Sequence, residues 1–264
     1  MLLIFLFIII FINRILLNEN YQEHINVGYF YSLFCKDFEQ KLFMKSMKSM
    51  KYKIPIESKI LDFGCGPGIM SDFFGTNYIG IDIDKTRINY AKQKYPNKKF
   101  ILTNPNNYLL PFSDDYFDII LFNDTLHHLS NYTISKLLPE ISRILKKDGL
   151  IIVREPKKDT NIFTYFITEL FENGDYVRTS YEYKQIFESF DIISEISHNE
   201  IIREYYILQV KNNKNCNFYK NFTTEIKIDR YFMNIITCII FIISLIHIYY
   251  KFNSAKSIFT ILAV

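Results

Sequence analysis

The chain has 264 residues, 49% apolar and 22% charged, with 31 basic against 28 acidic side chains and a formal net charge of +3. That near-balance is not the concentrated basic face of a dedicated nucleic-acid binder, and no nucleic-acid partner is expected. Its four cysteines, Cys35, Cys65, Cys216 and Cys238, have neither paired nor metal-ligand spacing, which argues against a disulfide framework and structural zinc.

In chain order, the first element is "MLLIFLFIIIFI", followed by Asn13, Arg14 and the apolar triplet Ile15 to Leu17. No basic stretch precedes it and no small-residue cleavage site follows, so residues 1–17 read as a membrane-associating segment rather than a cleaved leader. Residues 18–54 form a mixed polar and aromatic region with helical spacing in "FYSLFCKDFEQKLFMKSMKSM", expected as a helical cap over the core. Pro55 then opens a segment in which strand, turn and helix repeat.

The strands of that segment are "KILDF", "YIGIDI" (78–83), "KFILT" (99–103), "FDIILFN" (117–123) and "GLIIVRE" (149–155). Helices are expected directly after the first strand and over 85–95 and 133–146, the last despite Pro139. The strands are nearly continuous apolar runs, the pattern of a parallel sheet buried on both faces. Helical crossovers between them predict a doubly wound α/β fold. After a helix and loop over 157–176 and a further helix over 180–190, "DIISEIS" and "EYYILQV" read as two final strands, the second an antiparallel edge. The sheet is then mostly parallel and seven-stranded, and the domain spans 55–210.

A polar linker is expected over 211–230. Beyond it, Tyr231 to Tyr250 carries no charge over 20 residues, about the length that crosses a bilayer core, with a tail over 251–264. Tyrosines at its ends and the basic residues Arg14, Lys220, Lys227 and Arg230 on the inner flanks predict a membrane-associated chain whose central domain faces the cytosol.

The stretch "KILDFGCGPG" places Gly64, Gly66 and Gly68 within five positions, although the whole chain has 8 glycines. Glycines at a strand-to-helix corner permit tight dihedrals and close approach of a ligand to the backbone. Asp62 either holds that loop or faces a cationic group. Asp82 ends the next strand, where a carboxylate accepts from a ribose diol or caps a loop. Ile83 is placed to cover a base, and Asp84 to cap the helix after it.

Together "ILDFGCGPG", "YIGIDID", "LLPFSDDYFDIILFNDTLHHLS" and "EISRILKKDGLIIVREP" resemble the class I S-adenosylmethionine-dependent methyltransferases, in the broad branch of quinone-precursor and sterol methyltransferases. The resemblance covers about Lys59 to Pro156. It implies S-adenosyl-L-methionine as cofactor, with Gly64, Gly66 and Gly68 along its methionine part and Asp62 near its amino group. It further implies Asp82 on the ribose, Ile83 on the adenine and Asn123 with Asp124 near the methyl-transfer end. Members of the family commonly carry an acid before the "LPF" segment; here "TNPNNYLLPF" offers Asn104 or Asn106 as neutral acceptors, which make weaker bonds.

Asp124, His127 and His128 are the candidate catalytic bases, with packing as the alternative role of both histidines; no metal site is expected. Arg154 and Glu155 either shape the acceptor pocket or form a structural ion pair. The implied activity is in-line methyl transfer to a small-molecule or lipid-like acceptor, the bilayer being the other expected partner and any protein partner unknown. The alternatives are a catalytically silent methyltransferase-fold adaptor at a membrane and, with off-pattern glycines, a nicotinamide-dependent oxidoreductase.

Overall fold

A computed structural model of the protein describes residues 36–160, 174–199 and 204–213. Its centre is a seven-stranded sheet of β1 (Ile60–Phe63), β2 (Tyr78–Asp82), β3 (Lys99–Leu102), β4 (Phe117–Asn123), β5 (Leu145–Pro156), β6 (Asp191–Asn199) and β7 (Glu204–Lys211). The strand order is β3-β2-β1-β4-β5-β7-β6. β1 to β5 pair in parallel, whereas β7 runs antiparallel to both β5 and β6.

The chain winds outward from β1 through β2 to β3, then returns to lay β4 on the other side of β1. The carboxyl ends of β1 and β4 therefore meet where the winding reverses, the position at which open α/β sheets bind ligands.

Helices α1 (Lys36–Ser49) and α2 (Lys85–Lys94) supply one face of the sheet, and α3 (Asn131–Ile144) and α4 (Ser180–Ile186) the other. On the first face Phe43, Met50, Ile88 and Ala91 pack with Ile60, Tyr78, Leu121 and Ile152. On the second, Ile134, Leu138, Ile141 and Phe187 pack with Leu61, Ile81, Ile120 and Val153. Alternation along each strand divides its apolar side chains between two cores, which is why the strands read as unbroken apolar runs.

The helix starts follow their caps. Asp84 accepts from the Thr86 and Arg87 amides at the head of α2, Ser130 from Thr133 at the head of α3, and Thr179 and Glu182 form a reciprocal capping box on α4.

Three expectations are corrected here. The glycine corner leads not into an α-helix but into a 3-10 turn, Ile69–Phe73. Only residues 69 to 77 separate Gly68 from β2, too few for a regular helix and its return. β7 is not the edge: it inserts between β5 and β6, leaving β6 outermost, and its central residues Tyr205 to Val210 are buried accordingly. Among the described residues, no helix is long and apolar enough to cross a membrane. The expectations of a transmembrane helix, a bilayer partner and a membrane-associated location are withdrawn on that finding. The segments 1–17 and 231–250 that prompted them lie outside the described residues, as does most of the helix expected over 157–176.

Candidate functional site

At the carboxyl end of β1 the backbone turns through three left-handed glycines, Gly64 (φ 75°), Gly66 (φ 53°) and Gly68 (φ 76°). The corner is pinned to β2 by the Gly64 and Cys65 amides, which both donate to the Ile81 carbonyl, at 2.8 and 3.0 Å. The glycines differ in what surrounds them. A Cβ on Gly64 would lie 2.5 Å from Thr125 Cγ2, whereas one on Gly66 would meet nothing within 4 Å. The chain thus keeps Gly64 for packing and leaves open space over Gly66.

Asp82 closes the corner from β2. Its Oδ2 accepts from the Gly66 amide and its Oδ1 from the Asp84 amide, each at 2.8 Å. Each carboxylate oxygen has a second lone pair, so both oxygens retain acceptor capacity. Ile83, beside it, is 55% exposed although it is a large apolar side chain. Asp62, two residues before Gly64, is buried and accepts from the Tyr78 hydroxyl at 2.6 Å, not from loop amides. Burial pushes its carboxyl up to about 7; the Tyr78 hydrogen bond opposes that rise and the Asp82 charge adds to it.

Asn104 and Asn106 are exposed beyond β3. The Asn104 side-chain oxygen accepts from the Asn106 amide at 2.9 Å, closing a local turn. The following Leu109 to Phe112 segment is anchored separately. Glu140 of α3 accepts from the Leu110 amide at 2.7 Å and from Arg143, which also pairs with Asp114. These bonds hold the Glu140 carboxyl below its usual range despite the burial that opposes them.

The carboxyl end of β4 is built differently. Asn123 ends the strand, and Asp124 follows in the left-handed region at φ 54°. Asp124 Oδ2 pairs with Arg154 at 2.8 Å, while its Oδ1 is buried and has no hydrogen-bond partner among the described residues. Arg154, from β5, is fully buried. It also donates to Asn123 Oδ1 at 3.1 Å and to Ser46 of α1 at 3.3 Å, and lies over the Tyr205 ring at 3.8 Å.

Glu155 turns the other way from β5 and is also fully buried. One oxygen accepts from the Thr125 and Leu126 amides at 2.8 and 2.7 Å; the other contacts His127 Nδ1 at 2.6 Å. Arg154 and Glu155 are therefore not paired with each other, since neighbours on a strand point to opposite faces. His127 is 1% exposed and committed to Glu155, whereas His128 is exposed, with its ring 4.2 Å from that of His127. The fold leaves His128 exposed and Asp124 partly exposed, and encloses His127.

Several residues here carried no readable signal in the sequence. Thr125 packs on Gly64 and donates to the Phe63 carbonyl at 2.9 Å. Arg178, more than 50 positions downstream, donates to the carbonyls of Leu126, Leu129 and Tyr176 at 2.8 to 3.0 Å and to Asn131. It holds the loop between β4 and α3 from outside the stretch that carries the motifs. A buried acid ending an apolar strand was the one visible hint of the role of Glu155.

Residues 61–153 match a family described as a methyltransferase domain. The chain is 32% identical over 107 residues to the ubiquinone/menaquinone biosynthesis C-methyltransferase of Campylobacter jejuni, covering 37% of this chain and 44% of that protein. It is 27% identical over 150 residues to the ubiquinone biosynthesis O-methyltransferase of Pelagibacter ubique, covering 54% and 57%. The chain thus spans about half the length of the curated relatives it matches.

Among solved structures, a SAM-dependent methyltransferase of Archaeoglobus fulgidus superposes with a TM-score of 0.53 at 16% identity, covering 69% of this chain and 98% of that one. One from Methanosarcina mazei also gives 0.53 at 16%, covering 64% and 96%. At such identities these likenesses concern the fold alone. The glycine corner, β2, β3 and β4 all lie inside residues 61–153, the stretch that matches a methyltransferase domain.

Proposed function

We propose that the protein transfers a methyl group from S-adenosylmethionine to a small-molecule acceptor. The observation that carries this reading is the open space over Gly66, bounded by a carboxylate on β2 and by an exposed apolar side chain next to it. The free lone pairs of Asp82 suit the two hydroxyl donors of a ribose, and Ile83 suits one face of an adenine. Gly64, Gly66 and Gly68 would take the methionine part, with Asp62 toward its ammonium group.

When bound, the cofactor supplies a methyl group already activated by its sulfonium. What remains for the chain is to align the acceptor, exclude water and, where the nucleophile carries a proton, hold that proton. Asn123 and Asp124 stand at the end of β4 nearest the glycine corner in the sheet. Asp124, with Oδ1 unpartnered among the described residues, and the exposed His128 are the groups suited to take a proton. His127, enclosed against Glu155, suits a positioning role.

Calorimetric titration with S-adenosylmethionine tests the cofactor half of the reading. The parent protein is expected to bind, and Asp82→Ala to weaken binding by about 1–3 kcal/mol through loss of a charge-assisted contact. Unchanged affinity in a folded Asp82→Ala protein removes Asp82 from the site. Isotope-labelled cofactor incubated with a cell extract, read by mass spectrometry, then identifies the acceptor.

A second reading, a silent adaptor that keeps the fold, is favoured by one observation: the Asn104 amide oxygen already serves its own turn. Absence of cofactor binding by the parent would favour that reading.

A further inference from the structure

We propose that Tyr78 is a positioning residue for cofactor binding: its hydroxyl holds the buried Asp62 carboxylate in one orientation, leaving Oδ1 to meet a cationic group of the ligand. The inference rests on the cofactor reading above and adds a residue to it.

Tyr78 opens β2, one strand over from Asp62, and is 1% exposed. Its ring is held on two sides, stacked on Phe74 at 5.7 Å and 9° and edge-on to Phe100 at 5.9 Å and 67°. A ring so confined delivers its hydroxyl to one place, and that place is Asp62 Oδ2, at 2.6 Å. Burial keeps the proton on Tyr78, so it acts as a neutral donor. Among the described residues the Asp62 side chain has no other hydrogen-bond partner.

A carboxylate buried this deeply with one neutral donor is under-solvated, and an incoming ammonium would supply the missing counter-charge. The titratable groups facing Asp62 are Tyr78 and Asp82 on β2 and Cys65 in the corner. Tyr95 faces Tyr78 from the end of α2, and Arg87 faces Cys65 from within that helix. Among the described residues no cation acts directly on Asp62, and the Tyr78 hydroxyl is what favours its ionised form.

Two probes separate a positioning role from a packing role. S-adenosylhomocysteine carries the amino group, and 5′-methylthioadenosine lacks it while keeping the nucleoside. Tyr78→Phe preserves the ring and is expected to weaken S-adenosylhomocysteine binding about tenfold at pH 7, with part of the loss recovered at pH 8. Its affinity for methylthioadenosine should stay within about twofold of the parent. Asp62→Asn should show the same ligand selectivity, and adding Tyr78→Phe to it should change nothing further.

Equal losses for both ligands, or an unchanged affinity and pH profile in Tyr78→Phe, overturn the inference while leaving the cofactor reading in place. If Tyr78→Phe does not fold, Asp62→Asn decides: loss confined to the amino-bearing ligand supports the inference, and loss of neither overturns it. A parent protein that binds neither ligand overturns the cofactor reading and this inference with it.

Discussion

The carboxyl ends of β1 and β4 lie side by side in the sheet but are made of different material. The β1 corner is backbone: three left-handed glycines, a short 3-10 turn and open space over Gly66. The β4 corner is filled with side chains: Thr125 and His127 are gathered under a buried Glu155, Arg154 lies beneath Asp124, and Arg178 clamps the loop beyond. One end leaves its backbone uncovered at Gly66, where a Cβ would meet nothing within 4 Å. The other holds its loop rigid by burying charge with its partners in place, because a buried carboxylate without donors is strongly unfavourable.

The comparison breaks most visibly at Glu155. Glu155→Ala leaves the Thr125 and Leu126 amides and the His127 ring without their buried acceptor, and should cost about 3–5 kcal/mol in urea-induced unfolding. A loss below 1 kcal/mol would mean that the β4 loop does not depend on this carboxylate.

At the β1 corner, Gly64→Ala and Gly66→Ala share a strain of about 1–2 kcal/mol from the left-handed backbone. Only Gly64→Ala adds overlap with Thr125, a further ~1–3 kcal/mol. The two variants should therefore differ in stability, with Gly64→Ala the lower; equal melting temperatures would deny that Gly64 is the packed glycine and Gly66 the open one.

A further expected effect concerns pH. The folded Asp62 carboxyl titrates at about 7, above its ordinary 3.8, so the folded state holds this proton more tightly than the unfolded state does. Its favourable contribution is complete below about pH 4 and is lost as the pH rises through about 7. Without ligand, the stability of Asp62→Asn relative to the parent should rise across that window, by on the order of 3–4 kcal/mol. A gap that is flat with pH would place the Asp62 pKa near its ordinary value.

Much of the sheet was legible from local pattern. "FDIILFN" and the Asp84 cap lie where their residue types placed them, because burial on both faces and capping are properties of a few adjacent residues. The neighbour of a strand is not such a property. The insertion of β7 between β5 and β6 depends on which edge remains free once β5 is in place, and "EYYILQV" suits either an edge or an interior position. The absence of a helix after Gly68 was legible in principle, since the count of residues before Tyr78 limits the crossover.

Sequence alone determined that residues 59 to 156 form a parallel α/β core with a bare-backbone corner and a carboxylate one strand away. Those features are written in runs of apolar residues and in glycines a few positions apart, where chain geometry acts over short range. Only the tertiary structure decided that Glu155 serves the β4 loop instead of pairing with Arg154, that Tyr78 reaches Asp62, and that Arg178 closes the loop from more than 50 positions away. Each depends on side chains from different strands and loops meeting in a buried space, where an unpaired donor or charge is too unfavourable to persist and the packing of the whole sheet selects its partner.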